Sequence, residues 1–246
     1  MTGKLFSIII TTYNYGRYIE ECVDSCMQQE DFSDFEVIVV DDGSTDDTRQ
    51  RLEKYRDKGL RSFFNENAGI EGASNFGIRQ AEGKYIVRVD ADDKLGPRFL
   101  TVMSKRVTDD PLRFYYSNYE TIDSESRRIE AIHLPPFDVA EISTRGDFLA
   151  TGTVYDRNGL FKMGLYSEEV RNCGLENYEL ILKMLQHNYT GELENESLFY
   201  YRRHASNLSE TRRASIIEYG NNLFKRMNLG RYTTNPNHPY KLVISQ

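Results

Sequence analysis

Four short apolar runs recur within the first ninety residues, LFSIII (5–10), EVIVV (36–40), RSFFN (61–65) and KYIVRV (84–89), each separated from the next by a segment of helical character. Strands that read as near-continuous apolar runs are buried on both faces, and strands joined through helices run parallel. The alternation restricts the N-terminal half to a βαβαβαβ arrangement, an α/β fold with helices on a mostly parallel sheet. Between the first two runs, Ile19, Cys22, Val23, Cys26 and Met27 follow the i, i+3, i+4, i+7, i+8 spacing of one buried helix face. Ser44 with Asp47 three residues on, and Asp46 in the first turn, predicts a capped helix running to about Asp57. A third helix is expected over Gly72 to Ala81, ending before Gly83.

Beyond residue 93 the periodicity is mixed. A helix is expected from near Pro97, then two strands, LRFYYS and YETID, a hydrophilic turn SESRR, and a loop at Pro135 and Pro136. Helices are expected at Glu176 to Gln186 and Glu218 to Leu229, with a loosely structured tail from Gly230.

Composition narrows the function. A chain of 246 residues with 39% apolar content can bury an ordinary core. No apolar stretch approaches the roughly 20 residues that span a bilayer, and the opening MTGKLFSIII lacks a small-residue cleavage site and belongs to the fold. Cys22, Cys26 and Cys173 offer neither a disulfide framework nor a CxxC pair and read as buried small side chains in a reducing, cytoplasmic compartment. A net charge of -7 argues against a nucleic-acid partner. An anionic ligand would need local cations against that field, and a bound metal is one way to supply them.

Parallel α/β sheets bind ligands at the carboxyl ends of their strands. Here those ends carry Thr11, Thr12, Tyr13 and Asn14 after the first run, Asp41 and Asp42 after the second, and Asp90, Asp92 and Asp93 after the fourth. Closely spaced carboxylates are relieved by proton uptake or by a cation, and Mg²⁺ or Mn²⁺ with oxygen ligands and phosphate suits this set. The cluster lacks the glycine and glutamate spacing of an EF-hand. Taken singly, each feature has a plainer reading. Asp41 to Ser44 can be a turn with a helix cap, Asp90 to Asp93 a solvated turn, Tyr13 edge packing and His204 a hydrogen-bonded surface histidine.

Taken together, SIIITTYNYGRYIEECVDSCMQQEDFSDFEVIVVDDGSTDDT and NAGIEGASNFGIRQAEGKYIVRVDADDKLGPRFL resemble the N-terminal half of family 2 glycosyltransferases over roughly residues 5 to 105. TVYDRNGLFKMGLYSEEV, GLENYELILKM and FYYRRHASNLS resemble the family's acceptor-side half more weakly. The resemblance implies a GT-A, Rossmann-like, mostly parallel sheet flanked by helices, with a mixed acceptor-side half. It implies one domain over residues 1–205, with a nucleotide-sugar-binding half at 1–105 and an acceptor-side half at 106–205, then a C-terminal helix and tail at 206–246. Thr11, Tyr13 and Asn14 fall where the family meets nucleobase and ribose, and Asp42 where a carboxylate accepts the base N–H, usually of uracil. Asp90 and Asp92 match the DxD motif, the first near the ribose and the second on the metal, with Asp93 in support and His204 as a further metal or diphosphate contact.

The reaction implied is a single, inverting displacement by an acceptor hydroxyl as the nucleoside diphosphate leaves. Metal would neutralise the leaving group and a carboxylate would take the proton. In the family that base is the Asp of an ED pair, which here reads Glu176-Asn177, and an amide is no base. Glu176 then takes the role, or Glu179 one turn later. The alternative is a noncatalytic or partner-dependent sugar-nucleotide-binding domain. An acidic residue in a first helical turn also suits the helix dipole whatever its chemistry. Where the family often has an ARN triplet, this chain has Ala73-Ser74-Asn75, leaving Arg79, Arg88, Arg202 or Arg203 to compensate. A nucleotidyltransferase or dinucleotide binder would need a Gly-rich loop after the first strand, which TTYNYGRY does not supply. The expected partners are a nucleotide-sugar donor, first of all UDP-linked, and a carbohydrate or lipid-linked glycan acceptor, as in polysaccharide assembly. Peripheral contact with the inner face of the membrane through the last helix fits the same setting.

Overall fold

The computed structural model describes residues 3–145, 152–235, 238 and 244. The first half runs β1 (Phe6–Thr12), α1 (Gly16–Met27), β2 (Phe35–Asp41), α2 (Thr48–Leu52) continued by a 3₁₀ turn (Glu53–Lys58), β3 (Arg61–Phe64), α3 (Gly69–Gln80) and β4 (Tyr85–Asp90). The second half runs β5 (Lys94–Leu95), α4 (Phe99–Arg106), β6 (Arg113–Ile122), β7 (Arg128–Ile132), α5 (Val139–Arg145), β8 (Val154–Asp156), α6 (Arg157–Lys162), α7 (Glu176–Gln186), β9 (Thr190–Arg202), α8 (Leu208–Thr211) and α9 (Arg213–Arg226).

The strands form one sheet in the order β3-β2-β1-β4-β8-β6-β9-β5, with β7 beside β6. β3, β2, β1 and β4 pair in parallel, as the apolar runs require. β8 turns the sheet antiparallel, β9 returns parallel to β6, and β5 and β7 close antiparallel, so the second half is mixed. Ile8, Ile9 and Ile10 of β1 and Val39 and Val40 of β2 are fully buried at the centre. α1 covers them with the predicted face, where Ile19, Cys22, Val23 and Cys26 are buried. At Gly77 of α3 a Cβ would stand 2.5 Å from Ile9 Cγ2, so only glycine admits this approach of helix to sheet.

Several expectations are corrected. LRFYYS and YETID are one strand, because Asn118 between them sits in an irregularity of the β6–β9 register rather than a break. Its side chain serves neighbouring backbone, donating to Asn195 O at 2.7 Å and accepting from Leu134 N at 2.8 Å. α3 begins at Gly69, whose φ of +85° starts the turn. Asp46, not Ser44, serves the start of α2, because its carboxylate accepts from Thr48 N at 3.0 Å. The last helix is α9, which starts five residues and ends three residues earlier than expected. Its Ile216, Tyr219, Gly220, Leu223 and Phe224 face the core.

The described part of the segment after Gly230 is packed rather than loose. Tyr232 is buried with its ring centroid 5.2 Å from that of Phe224, and Asn235 N donates to Thr144 O at 2.7 Å. Residues 236–237, 239–243 and 245–246 of that expected tail lie outside the described residues. No helix among the described residues is long and apolar enough to cross a membrane.

Candidate active site

The carboxyl ends of β1, β2 and β4 open on one cleft of about 300 Å³, roofed by the segment from Ser206 to Arg212. It brings together Thr11, Tyr13, Asp42, Asp90, Asp92, Glu176 and Asn177. Asn14 and His204 do not line it. Asn14, at φ +58°, accepts from Thr45 N at 2.8 Å and takes the Ser44 hydroxyl with its own N–H at 2.8 Å, fastening the loop after β1 to the loop after β2. Tyr13 is 46% exposed at the mouth. The buried Thr11 and Thr12 hydroxyls have no hydrogen-bond partner among the described residues.

At one end Asp42 is held rigidly, its two oxygens accepting from Ala68 N at 2.7 Å and Gly69 N at 2.9 Å. Burial raises its pKa, the two N–H groups and nearby Arg171 pull it down, and the balance is upward. Ile70 and Asn172 line the same end. Ile70 N donates to Asn172 Oδ1 at 3.0 Å, and Glu71 accepts from Asn172 N and Cys173 N at 2.8 and 2.9 Å, which fixes the segment before α7 to the start of α3.

In the middle, Arg88 reaches Glu176 Oε1 at 3.0 Å and Asp90 Oδ1 at 3.2 Å. One cation therefore spans two carboxylates, one at the end of β4 and one at the start of α7. Burial drives the Glu176 pKa up, Arg88 counters it, Glu71 and Asp90 add to the rise, and the net direction is upward. Next to it Asn177 accepts from the Tyr166 hydroxyl at 3.0 Å, while its Nδ2 is without a partner among the described residues. Glu179 is turned away, bonded to Tyr219 of α9 and 3.0 Å from Lys183.

At the other end His204 Nε2 and Asn207 Nδ2 lie 3.0 and 3.2 Å from Asp92 Oδ2. The imidazole stacks on Tyr18, with centroids 5.2 Å apart. Tyr15, which lines the cleft beside them, has its pKa pushed up by burial and by the charges of Asp92, Asp90 and Asp93. A carboxylate oxygen and an imidazole nitrogen that already meet at hydrogen-bond distance fit a divalent cation, with phosphate and water completing its shell. A second group, Glu71, Cys173 and Glu176, offers donor atoms within 4.8 Å of one another. It suits a cation less well, since Glu71 is engaged by backbone, Glu176 by Arg88, and burial pushes the Cys173 thiol up.

Of the arginines expected to compensate for Ser74, Arg79 pairs outside the cleft with Glu168 at 3.8 Å and Arg203 pairs with Glu210 at 2.5 Å. Arg202 is buried behind the Asp92 loop. The exposed cation on the cleft rim is Arg212, which holds Asn172 O at 2.9 Å. No motif in the sequence marks it, because its place depends on how α8 folds over the cleft.

The family model for glycosyl transferase family 2 matches residues 7–168. An uncharacterized glycosyltransferase of Rickettsia bellii is 31% identical over 169 residues, 68% of this chain and 24% of that protein. The poly(ribitol-phosphate) β-N-acetylglucosaminyltransferase TarS of Staphylococcus aureus is 45% identical over 100 residues, 39% of this chain and 17% of TarS. The TarS 1–349 structure with UDP-GlcNAc superposes with a TM-score of 0.72 at 23% identity, covering 92% of this chain and 67% of that one. The mannosyltransferase PcManGT of Pyrobaculum calidifontis, solved with GDP-Man and Mn²⁺, superposes at 0.71 with 20% identity, covering 96% and 66%. The chain spans about a quarter to a third of the length of the first curated relatives it matches.

Proposed function

The chain belongs to glycosyl transferase family 2, and from that membership we propose that it moves a sugar from a nucleoside diphosphate, UDP before others, to a hydroxyl of a glycan acceptor with inversion. The observation that carries the reading is the meeting of Asp42, Asp90, Asp92 and Glu176 in one cleft. UDP-GlcNAc in TarS and GDP-Man with Mn²⁺ in PcManGT support a nucleotide-sugar donor and a divalent cation.

Asp42 accepts the nucleobase N–H, with its carboxylate already oriented by Ala68 and Gly69. Thr11 and Tyr13 flank base and ribose, and Asp90 takes the ribose. Asp92 and His204 would hold Mn²⁺ or Mg²⁺, which when bound neutralises charge on the departing diphosphate. Arg212 meets the same phosphates from the rim. Glu176 removes the acceptor proton, a role favoured by a desolvated carboxylate whose pKa is raised towards the working range. Arg88 holds that carboxylate in place and pairs with Asp90 as well.

Thermal unfolding against UDP, GDP and TDP, each with and without Mn²⁺, tests the donor site without an acceptor. A ligand at a hundred times its Kd adds about 2.7 kcal/mol, a shift of roughly 5 to 10 °C for a chain of this size. A metal-dependent shift with one nucleotide, lost in Asp92→Ala, is the expected result, and no shift with any nucleotide overturns the reading. A second reading, donor binding without independent turnover, is favoured by Asn177, whose one acceptor atom is taken by Tyr166.

A further inference from the structure

Arg202 is the largest fully buried side chain of the described residues, 1% exposed, and an isolated guanidinium in such a place is costly. It is held from every side. Its Nε donates to Asp92 O at 2.6 Å, Nη1 to Asp123 O at 3.0 Å and Ser126 Oγ at 2.8 Å, and Nη2 to Glu21 Oε2 at 2.7 Å. Its backbone N–H donates to Asp93 Oδ1 at 2.8 Å, and Tyr18 lies over the guanidinium at 4.7 Å. Its carbonyl accepts from Asn207 Nδ2 at 3.2 Å, the same amide that reaches Asp92 Oδ2.

Asp92 is therefore gripped at both ends. Arg202 takes its backbone carbonyl, and the residues that follow Arg202, His204 and Asn207, meet its carboxylate. Glu21 of α1 and the turn between β6 and β7 fix the guanidinium in turn, since Ser126 Oγ also donates to Glu21 at 2.6 Å and Lys94 Nζ does so at 2.6 Å. A guanidinium supplies several donors in one rigid plane, which an ammonium does not.

We propose that Arg202 is a positioning residue for the cation site, setting Asp92 and His204 at binding distance without itself touching ligand. The inference rests on the donor-site reading above. Loss of a residue that orients a metal ligand typically lowers metal affinity about 10–100-fold.

The test is calorimetric titration of UDP into Arg202→Lys and into Glu21→Gln, each with and without Mn²⁺, with Mn²⁺ binding to the UDP complex followed by electron paramagnetic resonance. Arg202→Lys is expected to keep the metal-free UDP affinity within about twofold while Mn²⁺ affinity falls about tenfold or more. Glu21→Gln, which leaves Arg202 in place but loosens it, gives a smaller loss of Mn²⁺ affinity and decides the matter if the lysine variant does not fold. Unchanged Mn²⁺ affinity in a folded Arg202→Lys, or in Glu21→Gln where that variant alone folds, overturns the proposal. Equal losses of metal-free and metal-dependent UDP binding overturn it too, as the mark of a merely structural role. UDP binding by the unmutated chain with no gain from Mn²⁺ instead sinks the cation-site reading and the proposal with it.

Discussion

Asp46 accepts the Gly16 N–H with one carboxylate oxygen, Oδ2, at 2.9 Å, and the Thr48 N–H with the other, Oδ1, at 3.0 Å. One side chain thereby serves the starts of α1 and α2 and draws together the two loops that carry Tyr13 and Asp42 to the cleft.

Asp46→Ala should cost about 1–2 kcal/mol, the usual range for a lost helix cap, read as a lower midpoint in urea unfolding. Burial acts to raise the Asp46 pKa, but bonds from Thr48 and Gly16 outweigh it and leave it below the ordinary 3.8. A depressed carboxylate stabilises the fold above its unfolded value and loses that contribution as pH falls through the folded value. The difference between wild type and variant should thus shrink below pH 3.8; a constant difference would show that the charge is irrelevant.

Glu176 gives the opposite sign. Its pKa is raised by burial against the pull of Arg88, so the base form is lost on acidification earlier than for an exposed glutamate. Transfer at saturating donor should fall along an acid limb whose midpoint lies above the ordinary 4.5. Glu176→Gln should reduce kcat by about 100-fold or more while UDP affinity stays near wild type. Full activity in that variant would remove Glu176 from the chemistry.

Asn177→Asp separates the two readings of the site. With Glu176 as base, the added carboxylate stands beside another buried one and transfer is expected to stay level or drop. A rise of about 100-fold or more, on the scale of general-base catalysis, would instead mark a domain that lacks its own base. Transfer by the unmutated chain and the variant is compared at several pH values, because the new carboxylate and Glu176 would titrate as a pair.

Gly220 of α9 meets the ring of Tyr232, where a Cβ would stand 2.4 Å from Cδ1 and Cε1. Gly220→Ala should destabilise by about 1–3 kcal/mol through overpacking. In a Tyr232→Ala background the same change should cost less, and a double-mutant cycle of thermal unfolding measures the coupling. Strict additivity would mean that the ring does not rest on α9.

What the sequence disclosed follows from how each part is buried. β1, β2 and β4 are covered on both faces, so they announce themselves as unbroken apolar runs, and the strand-end residues Thr11, Asp42, Asp90 and Asp92 follow at once. β9 is hidden because it is written in charge. Glu192 pairs with Arg106 and Arg113, Glu194 with Arg106 and Glu196 with Arg98, so half of the strand carries ion-paired carboxylates in place of an apolar face. Asp46 was visible only as an acidic first-turn residue, since the Gly16 N–H it accepts belongs to another helix. Asn14 follows Tyr13 at the same strand end, yet its side-chain oxygen accepts from Thr45 N and its backbone has a positive φ, neither of which the strand-end pattern shows. Arg88 facing Glu176, and Arg212 over the rim, are pairings that only the closed fold creates.

The parallel pairing of β9 with β6 joins residue 113 to residue 190. Strands this distant along the chain pair only after a long loop has closed, as β1 and β4 also do between Phe6 and Tyr85, and synthesis delivers the N-terminal half first. Asp90 to Asp93 are thus synthesised before Arg202, His204 and Asn207, the residues that meet Asp92 and Asp93 in the fold. The acidic end of the cleft is complete only once β9 has joined β6, so its two sides come from stretches of chain made at different times.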